Sequence, residues 1–344
     1  MLRVLIIGCG DVALRLVRQQ RESSSSRHGG VQFYALNRSP SRIPLLREMG
    51  IRPIVGDLDD RRSLIRLAGI ADVVLHFAPP GRPKAEMAPP LGAASDSERG
   101  GRPLAPPGRP KAEMAPPLGA ASDSEHPLAH PQGEEFIDRR TRRLLAALAM
   151  GTHPARMVYI STTGVYGDCA GAWVEETRPA RPGNARARRR WDAEQQLRAW
   201  AIRVGARLHI LRAPGIYARG RLPEARVRQG LPALLPETDI HTNHIHAEDL
   251  ARLAWCAVFR ARPQRLYNAV DDSGLKMGDW FDCVADHLGV PHPPRLPYEA
   301  VMTAVTPAMR TFLNESRRLS NRRIRDELGF RFCYPDVHTG LSGD

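Results

Sequence analysis

A glycine-rich turn lies near the start of the chain, between an apolar run and a helical pattern. The sequence GCGDVA at residues 8–13 fits the pattern G-x-G-x-x-G/A. Gly8 permits a tight turn, Gly10 lets a pyrophosphate approach the backbone, and the small Ala13 lets the helix pack on the sheet. Free N–H groups at the helix start, where Asp11 stands, would face the phosphates. The turn therefore predicts a dinucleotide site; the alternative is a strand-to-helix turn that binds nothing.

The end of the second apolar run should select the cofactor. A ribose 2′-hydroxyl calls for Asp or Glu at this place, whereas a 2′-phosphate calls for Arg. The sequence here, NRSPSR at residues 37–42, contains no carboxylate. We therefore predict that Asn37 and Arg38 border the cofactor and that NADP is favoured, with NAD as the alternative if Arg38 and Arg42 are merely solvated.

The elements that would position these residues alternate between strand and helix. Apolar strands are predicted at residues 2–7, 31–36, 52–55, 71–77, 157–161 and 208–211. Helices are predicted at residues 11–20, 41–49, 61–67, 133–150 and 186–204, and in the first of these Val12, Ala13, Leu16 and Val17 share one face. Such alternation is typical of an α/β fold with a doubly wound parallel sheet, the Rossmann architecture.

The helix predicted at residues 133–150 has a polarised charge pattern. Glu134 and Glu135 would occupy its first turn, ahead of Arg139, Arg140, Arg142 and Arg143. This order would complement the helix dipole.

A tandem repeat interrupts the alternation. Residues 78–98 recur unchanged at 105–125. Pro, Gly, Ala and Ser dominate the repeat, so it cannot bury enough apolar surface to offset its ordering entropy. We predict a disordered insertion at residues 78–131, the alternatives being a lid or a proline-rich docking peptide. Residues 1–77 and 132–218 would then form the Rossmann domain, and 219–344 a smaller C-terminal substrate lobe with returning Rossmann elements.

The composition is that of a soluble globular chain, with 42% hydrophobic and 25% charged residues and a net charge of +13. No apolar run reaches the ~18 residues of a membrane span. Met1 leads straight into the first strand, which leaves no room for a signal peptide. The five cysteines lie far apart, so they indicate neither a disulfide framework nor a thiolate zinc site. We expect a cytoplasmic protein whose cysteines are reduced, partly buried small hydrophobes.

Arginine supplies nearly all of the positive charge, because only three of the 50 basic residues are lysines. Coding composition is the simplest reason for this bias. Residues 181–230 nevertheless hold 13 arginines against three acidic residues, and such a patch attracts phosphates or other anions. It lacks the interleaved aromatic residues of a nucleic-acid surface, so nucleic-acid binding is not expected.

Five stretches together resemble the extended short-chain dehydrogenase/reductases, which include the NAD-dependent epimerase/dehydratases. They are the glycine turn at Gly8, GDLDD at 56–60, STTGVYG at 161–167, LRAPGIY at 211–217 and IHAEDL at 245–250. They occur in family order and cover nearly the whole chain outside the insertion. The resemblance implies that Asp57 contacts the adenine and that Ala78, at the end of the fourth strand, borders the cofactor.

The sequence departs from this family at the catalytic pair. Active members carry Tyr-x-x-x-Lys on the long helix, but none of the seven tyrosines here has a lysine four residues later. Alignment on the following EQQL places Arg186 at the Tyr position and Arg190 at the Lys position. Arginine stays protonated near neutral pH and cannot replace a phenol as proton donor. Arg190 could still hydrogen-bond the nicotinamide ribose.

The resemblance also assigns a reaction centre and a substrate region. Thr162 matches the family's carbonyl-polarising Ser or Thr. Tyr166 is a candidate acid/base, and its alternative is a structural ring at the end of a strand. Arg219 and Arg221 lie where relatives with nucleotide-sugar substrates bind phosphates, so we predict that they bind substrate.

Three histidines, His241, His244 and His246, could suggest a metal site. The family instead places a strand leading into a helix here, so we predict no metal. His246 and Asp249 are expected to satisfy backbone groups at the start of that helix.

These features predict an NAD(P)-binding oxidoreductase or epimerase/dehydratase-like enzyme acting on an anionic small molecule. The alternative is a non-catalytic NAD(P)-binding sensor or regulatory protein, because the usual catalytic pair is missing. The expected partners are a dinucleotide and the anionic molecule, with no membrane, and the chain is expected to be a monomer or homodimer.

Overall fold

A computed structural model describes residues 1–24, 30–81 and 134–343. The strands of these residues are β1 Leu2–Ile7, β2 Val31–Asn37, β3 Ile51–Val55, β4 Val73–His76, β5 Arg156–Thr162, β6 Trp173–Val174, β7 Arg207–Ala213, β8 Gly215–Tyr217, β9 Ala233–Leu234, β10 His244–His246, β11 Arg265–Asn268, β12 Arg295–Leu296 and β13 Arg318–Leu319.

The α-helices of the same residues are α1 Asp11–Ser24, α2 Ile43–Glu48, α3 Arg139–Leu148, α4 Ala185–Val204, α5 Glu224–Arg228, α6 Ala247–Arg260, α7 Met277–Leu288, α8 Tyr298–Ala304, α9 Pro307–Leu313, α10 Arg322–Leu328 and α11 Val337–Ser342. Short 3-10 turns occur at Pro40–Arg42, Arg61–Leu67, Glu134–Phe136 and Thr163–Tyr166. None of these helices is both long enough and apolar enough to cross a membrane.

Within the described residues, seven strands form one sheet in the order β3-β2-β1-β4-β5-β7-β11. Every neighbouring pair is parallel, which confirms the predicted doubly wound sheet. The chain runs outward from β1 in one direction through β3 and in the other from β4, so the order reverses between β1 and β4. Open sheets of this kind bind ligands outside the carboxyl ends of the strands at such a reversal.

Side chains alternate between the two faces of the sheet, as the period of a strand requires. Val4 and Ile6 pack into the core formed with α1 and α6, whereas Leu5 and Ile7 pack into the core formed with α3 and α4. The apolar face predicted for the first helix (Val12, Ala13, Leu16 and Val17) is buried in the first core. Both faces of the sheet are therefore covered.

The segment predicted as one helix at 133–150 is divided. Asp138 accepts a hydrogen bond from the backbone N–H of Arg140 and caps α3, which begins at Arg139. The arginines therefore stand in the first half of the helix rather than after a first turn that holds Glu134 and Glu135, and the dipole prediction is wrong. Arg140 instead pairs with Asp59. The hydrogen bond from Arg140 is the main cause of the lowered pKa of the Asp59 carboxyl.

The predicted insertion begins too early in the sequence. Ala78 is buried, and its N–H donates to the carbonyl oxygen of Ile7 at 2.9 Å. Ala78 therefore belongs to the folded sheet region, at the carboxyl end of β4. The rest of the predicted disordered segment, from residue 82 onward, lies outside the described residues.

The C-terminal part contributes to the same sheet. β11 pairs with β7, and α6 packs against α1. The remaining strands form three two-stranded parallel pairs, β8 with β10, β9 with β12 and β6 with β13. The division at residue 218 stays a prediction. Cys9 and Cys169 are buried as expected for small hydrophobes, whereas Cys333 is exposed.

Candidate functional site

A cavity of about 210 Å³ opens at the carboxyl ends of β1, β4, β5 and β7. It lies where the strand order reverses, the place expected for a ligand. Its lining comprises the glycine-rich turn at residues 8–13, hereafter called the phosphate turn, together with strand ends and three arginines. The lining residues are Gly8, Gly10, Asp11, Val12, Ala13, Phe77, Ile160, Ser161, Thr162, Arg186, Arg190, Ala213, Pro214, Ile216 and Arg221. Seven of the residues named from the sequence thus meet in one cavity: Gly8, Gly10, Asp11, Ala13, Thr162, Arg190 and Arg221.

The two glycines of the turn have different reasons to lack a side chain. Gly8 has φ of +90°, and an added Cβ would lie 2.4 Å from the backbone nitrogen of Ala78. An added Cβ at Gly10 would meet nothing within 4 Å. Gly8 is therefore required by the approach of two strand ends, whereas the backbone at Gly10 borders open space.

Asp11 is the first residue of α1 and places a carboxylate beside this open space. Its oxygens accept from Arg15 Nε at 3.0 Å and lie 3.4 Å from Arg221 Nη1. Arg15 also donates to Glu248 at 2.6 Å, at the start of α6. The turn is thus tied both to α6 and to the segment that follows β8.

The residues predicted to select the cofactor stand at the neighbouring ends of β2 and β3. Arg38 is 73% exposed, and its Nη1 lies 4.0 Å from Asp57 Oδ2. Asn37 is buried, and its carbonyl oxygen accepts from Gly56 N–H at 3.1 Å. These three residues (Asn37, Arg38 and Asp57) do not line the 210 Å³ cavity as the described chain delimits it.

The thiol of Cys9 lies within the glycine-rich turn and is buried. Burial raises the pKa of the Cys9 thiol to about 11, and the positive charge of Arg42 acts in the opposite direction.

Arg190 is buried between strand ends on the long helix. Its Nη1 donates to the carbonyl oxygen of Ile160 at 2.9 Å, to that of Ala78 at 3.2 Å and to the Tyr159 hydroxyl at 3.1 Å. Its Nε is buried and has no acceptor among the described residues. Arg186, four residues earlier, lines the same cavity, so two guanidinium groups of α4 border it.

Thr162 ends β5 and faces the cavity. Its Oγ1 accepts from the N–H of Gly164 at 3.3 Å, which caps the 3-10 turn at Thr163–Tyr166. Because that bond uses a lone pair, the hydroxyl proton stays available for donation to a ligand.

A buried ion pair lies beneath this hydroxyl and was missed by sequence reasoning. Ser161 Oγ donates to Glu194 at 2.6 Å, and Arg212 contacts both oxygens of that carboxylate, at 3.1 and 2.7 Å. Glu194 is completely buried. The burial of Glu194 could have been predicted, because Glu194 shares a helical face with the apolar residues Ala193, Leu197 and Ala201.

Tyr166 is placed away from the cavity. Its ring is 1% exposed, its hydroxyl donates to Asn268 Oδ1 at 2.7 Å, and the Arg212 guanidinium stacks over the ring at 4.4 Å. Burial raises the pKa of the phenol. This geometry matches the structural-ring interpretation and leaves the acid/base interpretation without support.

The two arginines predicted for substrate are separated. Arg221 lines the cavity, whereas Arg219 is exposed and does not line the cavity as delimited by the described residues. Several lining residues that sequence reasoning passed over, Phe77, Ile160, Ala213 and Pro214, directly follow or end β4, β5 and β7. The rule that parallel strands present their carboxyl ends to a ligand would have found them.

The histidine segment has a structural role. His246 Nδ1 accepts from the N–H of Glu248 at 3.3 Å, at the start of α6. Asp249 accepts from the backbone N–H groups of Cys333 and Tyr334 instead of from its own helix. The described residues contain no group of three or more His, Cys, Asp or Glu side chains arranged to hold a metal ion.

Comparison with known proteins agrees with this geometry. Residues 118–269 match the model of the NAD dependent epimerase/dehydratase family. Protein YeeZ of Escherichia coli K12 is 27% identical over 207 residues, which is 59% of this chain and 67% of YeeZ.

Solved structures share the fold over nearly the full length. A conserved protein of unknown function from Silicibacter pomeroyi superposes with a TM-score of 0.68 at 26% identity, covering 100% of this chain and 98% of that one. UDP-glucose 4-epimerase of Thermotoga maritima has a TM-score of 0.67 at 14% identity, covering 99% and 96%. The dTDP-glucose 4,6-dehydratase DesIV of Streptomyces venezuelae has a TM-score of 0.67 at 18% identity, covering 99% and 95%.

The sequence match and the parallel sheet with its phosphate turn are consistent with each other. The chain is thus a homologue of YeeZ, and its residues 118–269 match the model of the NAD dependent epimerase/dehydratase family.

Proposed function

We propose that this chain binds NADP at the carboxyl edge of its sheet and acts on an anionic small molecule as a short-chain-type oxidoreductase or epimerase/dehydratase-like enzyme. One observation carries the proposal. A single cavity is bordered at one side by the open backbone at Gly10 and at the other by the hydroxyl of Thr162. A dinucleotide held by the first group would bring its reactive ring toward the second.

The residues suited to hold the dinucleotide are distributed over four strand ends. The Gly8–Ala13 turn offers backbone N–H groups to the pyrophosphate. Asp57 would meet the adenine, and Arg38 with Arg42 would meet a 2′-phosphate. Ala78 would border the cofactor from the end of β4. When bound, the nicotinamide would donate or accept a hydride.

The chain's own contribution to the chemistry is polarisation and charge. Thr162 would donate its hydroxyl proton to a carbonyl oxygen of the substrate, an interaction that strengthens as negative charge develops on that oxygen. Arg186 lines the same cavity and would attract a carboxylate or phosphate on the substrate. An anionic substrate follows from the charge of Arg186.

Catalysis would also need a proton source near Thr162. Tyr166 is buried and donates to Asn268. Arg186 and Arg190 stay protonated near neutral pH. Water is therefore the proton source that we propose.

The second candidate is a non-catalytic NAD(P)-binding sensor or regulator. The observation that favours it is the pair of guanidinium groups at the positions where active relatives carry Tyr and Lys. In this case NADPH binding would change association with a partner, and no substrate would be turned over.

Two measurements separate these candidates. Calorimetry with NADPH and NADH tests the dinucleotide site, and we expect micromolar binding. Absorbance of NADPH is then followed against keto, nucleotide-sugar and quinone substrates, with product analysis to detect redox-neutral epimerisation. Turnover that is lost in T162A would exclude the sensor. Tight NADPH binding without turnover across the panel, together with an NADPH-dependent change in association with a partner, would exclude the enzyme.

A further inference from the structure

Arg221 reaches the phosphate turn from a distant part of the sequence. It follows β8 in a tight turn in which its N–H donates to the carbonyl oxygen of Ala218 at 2.9 Å. Gly220 has φ of +75°, a conformation that glycine adopts readily. The turn holds the Arg221 side chain in the cavity, with Nη1 3.4 Å from Asp11 Oδ2.

Asp11 would by itself oppose the binding of a dinucleotide. Its carboxylate stands at the first position of α1, beside the open space at Gly10, where the pyrophosphate would bring two negative charges. Like charges this close repel each other. A binding site here needs a cation that offsets Asp11.

Arg15 alone does not supply that cation. It is shared between Asp11 and Glu248, and Glu248 also accepts from Arg18 at 2.5 Å. Arg15 and Arg18 together therefore balance Asp11 and Glu248. Arg221 adds one positive charge to this balanced group, on the side that faces the cavity.

We propose that Arg221 is a cofactor-binding residue: it pairs with Asp11 in the free chain and donates to the pyrophosphate of the bound dinucleotide. This inference rests on the proposed function and changes the role predicted for Arg221 from the sequence, which was substrate binding. A guanidinium can hydrogen-bond a carboxylate and a phosphate oxygen at once, because its five N–H donors form a planar fork.

The assignment joins the two parts of the chain through the ligand. The phosphate turn belongs to the first strand and helix, and Arg221 to the segment after β8. A dinucleotide bound here would contact both of these segments.

The test compares R221Q with R228Q, which removes the same charge from an exposed position at the end of α5. Binding of NADPH and of adenosine 2′-monophosphate, which lacks the pyrophosphate, is measured by calorimetry. We expect R221Q to raise the Kd for NADPH about tenfold to hundredfold, the range for losing one charged hydrogen bond. The Kd for adenosine 2′-monophosphate should stay within about twofold of wild type. R228Q should change neither.

A second variant tests the role of Asp11. Adding D11N to R221Q should recover part of the lost NADPH affinity, because the carboxylate that stands beside the pyrophosphate is removed. Melting temperatures show whether each variant is folded, and a variant that does not fold is replaced by R221K, for which we expect a smaller loss.

The outcomes distinguish this inference from the proposed function. If wild type binds NADPH and R221Q binds it equally well, Arg221 does not contact the cofactor and the inference is wrong, while the proposed function stands. An equal loss for NADPH and adenosine 2′-monophosphate would also overturn it, because the effect would not come from the pyrophosphate. A wild-type chain that binds neither NADPH nor NADH overturns the proposed function together with this inference.

Discussion

Arg190 donates a hydrogen bond to the carbonyl oxygen of Ala78 at 3.2 Å and thereby ties the long helix α4 to the end of β4. The same guanidinium nitrogen also contacts the carbonyl oxygen of Ile160 at the end of β5. The resemblance to the epimerase/dehydratases predicts a lysine at this position in active members. In this chain the guanidinium instead holds the ends of β4 and β5 together, which is a positioning role.

The choice between NADP and NAD should depend on Arg38. We expect wild type to bind NADPH more tightly than NADH, and R38D to reverse or abolish the preference, since the new carboxylate repels the 2′-phosphate. Calorimetry with both dinucleotides measures this. R66D, a charge reversal at an exposed residue of the turn at Arg61–Leu67, is the matched control. Equal affinities of wild type for the two dinucleotides would contradict the argument from Arg38.

Thr162 should carry the polarisation of the substrate carbonyl. We expect T162A to lower turnover by about 10²-fold with little change in NADPH affinity, because one positioned donor is lost. T162S keeps the hydroxyl and should retain most of the activity. Steady-state kinetics and calorimetry measure the two effects, and a T162A variant with wild-type turnover would remove Thr162 from the reaction centre.

Tyr166 provides a contrast to Thr162. Y166F removes the donor to Asn268 Oδ1 inside the core, so we expect a loss of about 1–3 kcal/mol in the free energy of unfolding. Turnover per folded molecule should stay unchanged. Chemical denaturation and kinetics measure these quantities, and a large fall in turnover at unchanged stability would return the phenol to the acid/base role.

Asp271 should make stability depend on pH. Burial raises the pKa of this carboxyl to about 7, although hydrogen bonds from Ser273 oppose the shift. The unfolded chain releases this proton near pH 4 and the folded chain near pH 7, so the contribution of Asp271 to stability falls as pH rises through that window. The loss is on the order of 4 kcal/mol.

The measurement is chemical denaturation of wild type and D271N between pH 4 and pH 8. D271N should flatten the curve in this window and be the more stable of the two above pH 7. D326N, at an exposed carboxylate of α10, is the control and should keep the wild-type slope. A D271N curve parallel to that of wild type would show that Asp271 does not titrate in this range.

The insertion should be dispensable for folding if the deletion leaves the strand ends of the sheet intact. Deleting residues 82–131 keeps Ala78 with its hydrogen bonds to Ile7 and Arg190, so we expect only a small change in melting temperature. A deletion that begins at Ala78 removes those bonds and should be the less stable variant. A large fall in melting temperature for the shorter deletion would show that the segment contributes to the core.

The fold and the dinucleotide turn could be predicted from the sequence because both depend on local patterns. Buried parallel strands are continuously apolar, and the spacing of Gly8, Gly10 and Ala13 follows from one turn geometry. The contacts of Arg190 and the burial of Tyr166 depend on which residues of α4, β7 and β11 come together. No local pattern carries that information.

The charge arrangement around Asp11 shows the same limit. Arg15 is four residues from Asp11 and could be paired with it from helical spacing. Glu248 and Arg221 lie more than 200 residues away in sequence, yet both belong to the same group of charges. The sequence alone showed an arginine-rich region and could not show that one of its members stands at the phosphate turn.

Gly81 and α3 meet at the base of the repeat segment, since an added Cβ at Gly81 would lie 3.5 Å from Arg140 Nε. Gly81, the last described residue before the repeat segment, therefore lies beside α3, which begins at Arg139. For a flexible loop, doubling the length costs only about 0.6 kcal/mol of closure entropy. If the repeat segment is disordered, as its composition predicts, chains with more or fewer copies of the repeat would keep the same sheet and the same ligand cavity, so copy number can vary without being tied to the stability of the fold.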